Sequence, residues 1–339
     1  MARRIIYFDL LTIFACLAVV FLHCNTLVHQ FEPTPQWNQA LAVEVLFFWA
    51  VPIFFMLTGA NNMGYRSKYS TKTFLARRMK KLVIPYLFWS AVLYCYQAIR
   101  SETGLSFDGF IAGLLTDGIE AIYWFFPAII SLTLAMPVLS LLLPHRKLMW
   151  YVVGLSLLKF LAPYVCDVFG LPWTGSFNFP VAAGYVTYAI LGYLLATTEV
   201  SRNAVIAICL GAVACFAIRY GYTFSASYEI GNVDRTLFDY NSVFAALPAT
   251  AVFVLFKCAF RKWEKIGMRG GELISSVAGC CFGVYLIHKM IITSVFIELL
   301  GMTYQSFWLR FVCPFVVFAL ACGLVYCIKK IPVVKNIVP

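Results

Sequence analysis

Residues 5–28 read IIYFDLLTIFACLAVVFLHCNTLV, an apolar run broken only by Asp9 and His23 among its acids and bases. At 1.5 Å per helical residue such a run crosses the hydrocarbon layer of a bilayer, which takes about 20 residues. It follows MARR and carries no small-residue cleavage site, so it reads as a first membrane span and not as a removable leader. Working outward, comparable runs recur near residues 41–60, 82–99, 121–143, 148–169, 177–197, 204–224, 239–259, 273–298 and 307–328. Pro163, Pro172 and Pro180 interrupt the fifth and sixth of these. Hydrophobic residues make up 62% of the 339 positions and charged residues 12%, too little charge to face water over a soluble domain. The expected fold is all-α: a polytopic membrane protein of about ten transmembrane helices in one domain over residues 1–339. With no soluble catalytic domain, any chemistry takes place in or beside the membrane.

The net charge of +11, from 26 Lys+Arg against 15 Asp+Glu, is distributed by loop. Arg3 and Arg4, the cluster from Arg66 to Lys81, Arg146, Lys147, Arg202, the bases from Lys257 to Arg269, and Lys329, Lys330 and Lys335 fall on one side. The other side holds Arg100 and Arg235 and collects Glu32, Glu102, Asp108, Asp117, Glu120, Asp167, Glu229 and Asp234. The positive-inside rule then makes both termini cytoplasmic. The basic charge is therefore topological, and no nucleic acid is expected as a partner. Nearly all of the twelve cysteines lie inside apolar runs and none forms a CxxC pair, so zinc and disulfide frameworks give way to buried small hydrophobes. No metal site is expected.

Ionisable groups inside a span are costly and are candidates for function. Asp9 and His23 share one face of the first helix, about 21 Å apart, with Thr12 and Cys16 between them. A lone histidine there reads first as a hydrogen-bonded core residue. The ninth span, CCFGVYLIHK, adds Tyr285 and His288 at i,i+3 on one face, with Lys289 placed to snorkel outward. Two imidazoles on two helices suit proton transfer near neutral pH. His29 and His145 sit at loop edges, where solvated roles are expected. Glu44 precedes Phe47, Phe48 and Trp49 at the outer mouth of the second span. Lys159 and Arg219 read as partners of Asp167 or Glu229, or as snorkelling bases. The loop from Asn61 to Lys81 carries Arg77, Arg78, Lys80 and Lys81 in i,i+3 pairs. It reads either as plain positive-inside topology or as a seat for a polyanionic cytosolic ligand.

Six fragments in order resemble the acyltransferase 3 family of integral membrane acyltransferases. They are FDLLTIFACLAVVFLH (Phe8–His23), VPIFFMLTG (Val51–Gly59), LARRMKKLVIPYLFWS (Leu75–Ser90), YWFFPAIISLTLAMPVL (Tyr123–Leu139), GYVTYAILGYLLA (Gly184–Ala196) and VYLIH (Val284–His288). The resemblance implies a multi-pass enzyme of the bacterial plasma membrane that O-acylates a glycan or lipid-linked envelope acceptor. It implies acyl-CoA, such as acetyl-CoA, as co-substrate, and no permanently bound cofactor. On that reading His23, His288 and Tyr285 are catalytic, and Arg77, Arg78, Lys80 and Lys81 hold the coenzyme phosphates. Asp9, Glu44 and Trp124 bind substrate, Asp9 organising the inner end with Arg3, Arg4 or Arg78. Three departures mark a divergent member: Thr12 stands where the family has Arg or Lys, Ile122 where a His often precedes the Trp, and Thr133 where Tyr is common. The rival readings are a transporter or flippase for an envelope precursor, and a sensor or assembly subunit that kept the fold without the chemistry.

Overall fold

The computed structural model describes residues 5–100, 104–173, 184–260, 268–332 and 334–339. Arg3, Arg4, Glu102, Arg261, Lys262, Lys265 and the start of the sixth expected span, with Pro180, lie outside the described residues, as do the side chains of Arg269 and Lys335. Among the described residues every regular element is a helix, as a bilayer demands of a chain that must satisfy its own backbone. The elements are α1 (Ile6–Cys24), α2 (Pro35–Phe47), α3 (Ala50–Asn62), α4 (Thr71–Arg100), α5 (Phe107–Leu115), α6 (Phe125–Leu139), α7 (Arg146–Val168), α8 (Gly184–Thr197), α9 (Arg202–Ile230), α10 (Val243–Phe260), α11 (Met268–Ile291), α12 (Phe307–Phe311) and α13 (Cys313–Lys329). Over the described residues, each expected span coincides with helix. Among the described residues, eight helical segments are long and apolar enough to cross a membrane, with α8 and α13 as shorter apolar helices. The chain is an all-α polytopic membrane protein.

The helix α1 is central. Leu11, Ala15 and Ala18, all fully buried, belong to one core cluster with Ile53 and Met56 of α3 and Leu194 of α8. Cys16, Val20 and Cys24, on another face, belong to a second cluster with Cys281 and Val284 of α11 and Val317 of α13. Small residues let these backbones approach closely. The tightest approach joins α3 to α8: a Cβ on Gly59 would stand 1.9 Å from the Ala189 carbonyl oxygen, and one on Gly192 2.1 Å from that of Met56.

Three features depart from the expected spans. The second span is two helices, ending at Phe47 and restarting at Ala50. Pro52 has no N–H to offer the Phe48 carbonyl, so the ladder breaks there. The basic segment expected as a loop up to Lys81 is helical from Thr71, and Arg77, Arg78, Lys80 and Lys81 ride on the first turns of α4. Between α4 and α6 the short helix α5 begins where Ser106 Oγ accepts from Gly109 N at 3.0 Å, an N-cap. Part of the positive charge at the basic end is structural. Arg66 donates to Ser140 Oγ at 2.7 Å and to Pro137 O at 3.1 Å. Lys257 Nζ closes α8 by donating to Leu195 O and Thr198 O, each at 2.7 Å.

Candidate active site

A cavity of about 430 Å³ opens between α1, the break that separates α2 from α3, the turn Ala121–Trp124, the loop before α10, and α11. Its wall includes His23 near the C-terminal end of α1 and Thr12 three turns below. The eleven-residue spacing read from the sequence does bring both side chains to one cavity. Thr12 Oγ1–H is spent on its own helix, donating to Phe8 O at 2.8 Å.

His288 comes to His23 from the opposite helix, with ring centroids 5.1 Å apart. His288 is fully buried. Its Nδ1 lies 3.0 Å from Val284 O and 2.8 Å from Tyr285 O. Both are carbonyls and can only accept, so Nδ1 carries the hydrogen and Nε2 of the neutral ring carries the lone pair. That Nε2 is buried and has no hydrogen-bond partner among the described residues.

Tyr285 also lines the cavity. Its hydroxyl donates to Ile122 O, while the Tyr123 hydroxyl donates to Leu286 O at 2.8 Å. These crossed bonds staple the Ala121–Trp124 turn to α11. The Tyr285 proton is engaged, so the phenol offers the cavity an acceptor and not a donor. Trp124, next in the turn, lines the cavity and stacks on Tyr240, 5.6 Å between centroids at 24°. Tyr240 stacks in turn on Phe48, 4.3 Å and 11°, making an aromatic wall suited to the C–H face of a sugar ring.

Charge is concentrated at the end of the cavity away from the basic cluster. Glu44, 5% exposed, lines it, and its side chain makes no hydrogen bond or ion pair among the described residues. The cations that act on it are Arg219 and Arg235. Arg235, from the loop before α10, lines the same rim. Arg219 finds neither Asp167 nor Glu229. It is buried between two aromatic faces, its guanidinium carbon 3.6 Å from the Phe48 centroid and 4.4 Å from that of Phe238. His29, expected as a solvated edge residue, lines the rim, where burial and then the charges of Arg235 and Lys289 lower its pKa.

Other candidates lie apart from this cavity. Asp9 accepts from Ser275 Oγ at 2.7 Å and ties α1 to α11 below it. Arg77, Arg78, Lys80 and Lys81 line a separate cleft of about 1000 Å³ at the basic end. Arg78 is half-buried and the other three are exposed, with Arg77 packed over Tyr69 at 4.7 Å. Sequence reasoning missed the rim residues Phe48, Arg235, Phe238 and Tyr240. The cluster VDRTLFDY (Val233–Tyr240) was the available signal, since aromatic and charged residues seldom crowd one short loop without a partner.

A comparison with a serine/alanine racemase of Enterococcus gallinarum finds 28% identity over 157 residues, covering 44% of this chain and 22% of that protein. The chain thus spans under a quarter of that relative's length, and the likeness assigns no activity here. No solved structure matches the chain. The sequence profile described as an acyltransferase domain matches residues 5–327, nearly the whole chain, and the protein belongs to the acyltransferase 3 family.

Proposed function

We propose that this protein is an O-acyltransferase of the bacterial plasma membrane. It moves an acyl group, such as acetyl, from cytosolic acyl-CoA to a hydroxyl of an extracytoplasmic glycan or lipid-linked envelope molecule. The observation that carries this reading is the His23 ring, set in the cavity wall with His288 directly behind it. The acceptor hydroxyl gives its proton to the His23 imidazole as its oxygen bonds to the thioester carbonyl carbon. The C–S bond then breaks, and the leaving thiolate takes the proton back from the imidazolium. His288 is a positioning residue. Its ring is locked by two backbone carbonyls and supports one orientation of His23. Tyr285, Glu44 and the Trp124–Tyr240 wall hold the acceptor's other hydroxyls and its apolar face. The basic cleft seats the coenzyme phosphates against Arg78, Lys81 and their neighbours. Mass spectrometry of envelope glycans with and without the gene tests the reading. A loss of one acyl mass per acceptor unit is expected, and identical profiles would sink it.

Replacing Arg78 and Lys81 together with Gln is expected to weaken coenzyme A binding by roughly tenfold or more, since hydrogen bonds to charged groups contribute about 1.5–3 kcal/mol each. Binding to the parent should also weaken with added salt, because the cleft is open and its cations are screened. Calorimetry of both proteins at two salt concentrations checks this. A double variant that binds as the parent does would reduce the cluster to a topology signal.

Thr12→Arg restores the cation of the family pattern at a position that lines the cavity. Thr12 spends its hydroxyl within its own helix, so the change breaks no side-chain hydrogen bond between helices among the described residues. The expected result is faster acyl transfer, measured on purified parent and variant in nanodiscs. An unchanged or slower rate would show that the missing cation is supplied elsewhere.

A further inference from the structure

Between the basic cleft and the outer cavity lies a neck of about 160 Å³. It shares Asn62, Arg78 and Lys81 with the cleft and Phe282 with the cavity. We propose that this neck is a binding site for a slender chain bearing N–H donors, and that Phe282 is the partition this chain turns aside to reach His23. The inference rests on the acyl-CoA reading above and names the part of the donor that the neck holds.

The polar groups above the mouth point to that chemistry. Thr58 Oγ1–H donates to Phe54 O at 2.8 Å, and Thr133 Oγ1–H donates to Ile129 O at 2.7 Å. Both hydroxyl hydrogens are therefore used, and what the two threonines retain is lone pairs. Asn62 is 5% exposed, and its Oδ1 is buried without a hydrogen-bond partner among the described residues. A buried acceptor without a partner is costly, and such groups are normally satisfied. Three acceptors in an apolar passage call for a ligand that supplies donors. Arg78 and Lys81 at the inner end call for an anionic group. The neck is too small for a nucleotide, whereas the cleft below it, about 1000 Å³, is not. A pantetheine arm meets these demands: it is one chain wide, carries two amide N–H groups and hangs from a phosphorylated head.

Phe282 closes the far end. It is half-buried and braced edge-on by Phe126, 5.7 Å between centroids at 84°. Standing between neck and cavity, it keeps cavity water from a thioester held in the neck until the ring rotates.

The test uses the full-length protein in nanodiscs and two probes, coenzyme A and its head alone, adenosine 3′-phosphate 5′-diphosphate. Asn62→Leu is expected to lower coenzyme A affinity by about five- to tenfold more than head affinity, the equivalent of one buried hydrogen bond. Head binding that persists also shows that the variant is folded. Asn62→Asp keeps the acceptor and should retain the parent's preference for the whole coenzyme. Coenzyme A binding that ignores Asn62 overturns the neck while leaving the donor reading intact. If neither probe binds the parent, the donor reading itself falls, and the neck with it. Phe282→Ala should raise the slow hydrolysis of bound acetyl-CoA by about tenfold, measured at saturating acetyl-CoA, as water gains entry. Hydrolysis at the parent's rate overturns the partition.

Discussion

Replacing His23 with alanine is expected to lower acyl transfer by a factor of about 10²–10⁴, the usual effect of losing a general base. The loss should fall on kcat, with affinity for coenzyme A held, because the basic cleft shares no residue with the cavity wall. Insertion and folding should survive. The His23 side chain makes no hydrogen bond among the described residues, and one polar group fewer is no obstacle to a membrane helix. His288→Ala should act in the same direction but less severely. It removes the ring behind His23 and leaves the carbonyls of Val284 and Tyr285 within an intact helix. Rates are to be compared on purified parent and variants in nanodiscs with acetyl-CoA and a glycan acceptor. Equal rates for parent and His23→Ala would remove His23 from the mechanism.

The second large effect is on stability, and it reverses the ordinary rule for glycine in helices. Gly→Ala inside a helix is favourable by up to about 1 kcal/mol on propensity alone. At Gly192 it is expected to destabilise instead, by about 1–3 kcal/mol or more. The added carbon would sit 2.1 Å from the backbone oxygen of Met56, where no side chain can swing away and α3 and α8 must part. Gly154 on α7 is the matched control, because a Cβ there meets nothing within 4 Å. Thermal unfolding of the two alanine variants should shift in opposite directions, or leave Gly154→Ala at the parent's midpoint. Equal midpoints for Gly192→Ala and the parent would show that the two helices can separate freely.

The spans were legible because a bilayer leaves one solution for long apolar runs, and the charge pattern marked their ends. The shared cavity of Thr12 and His23 was legible for a similar reason, since spacing along a single helix fixes a face. What spacing cannot reach is the neighbour across the gap. His23 and His288 are 265 positions apart in the sequence, and only packing of α1 on α11 brings their rings together. The same limit hid the partners of two ionisable residues. Asp9 pairs with a serine of α11, and Arg219 is held by aromatic faces where an acid was expected. Nor did the sequence reveal that the Tyr285 hydroxyl is already committed to a backbone carbonyl. The break at Phe48 was readable in hindsight from Pro52, yet proline near the start of a helix is equally ordinary.

The central position of α1 bears on how the chain is assembled as it is made. The first helix enters the bilayer with Cys16, Val20 and Cys24 on a face whose partners, in α11 and α13, are still untranslated. Likewise the closely packed surface of α3 waits for α8, more than a hundred residues later. Helices that are each stable in lipid can insert in turn and associate afterwards. The early ones therefore stand with interior surfaces open to lipid through most of synthesis. Contacts of such sequence separation form slowly. The pair of imidazoles cannot form before α11 has docked on α1, so a nascent chain that ends short of α11 lacks the site altogether.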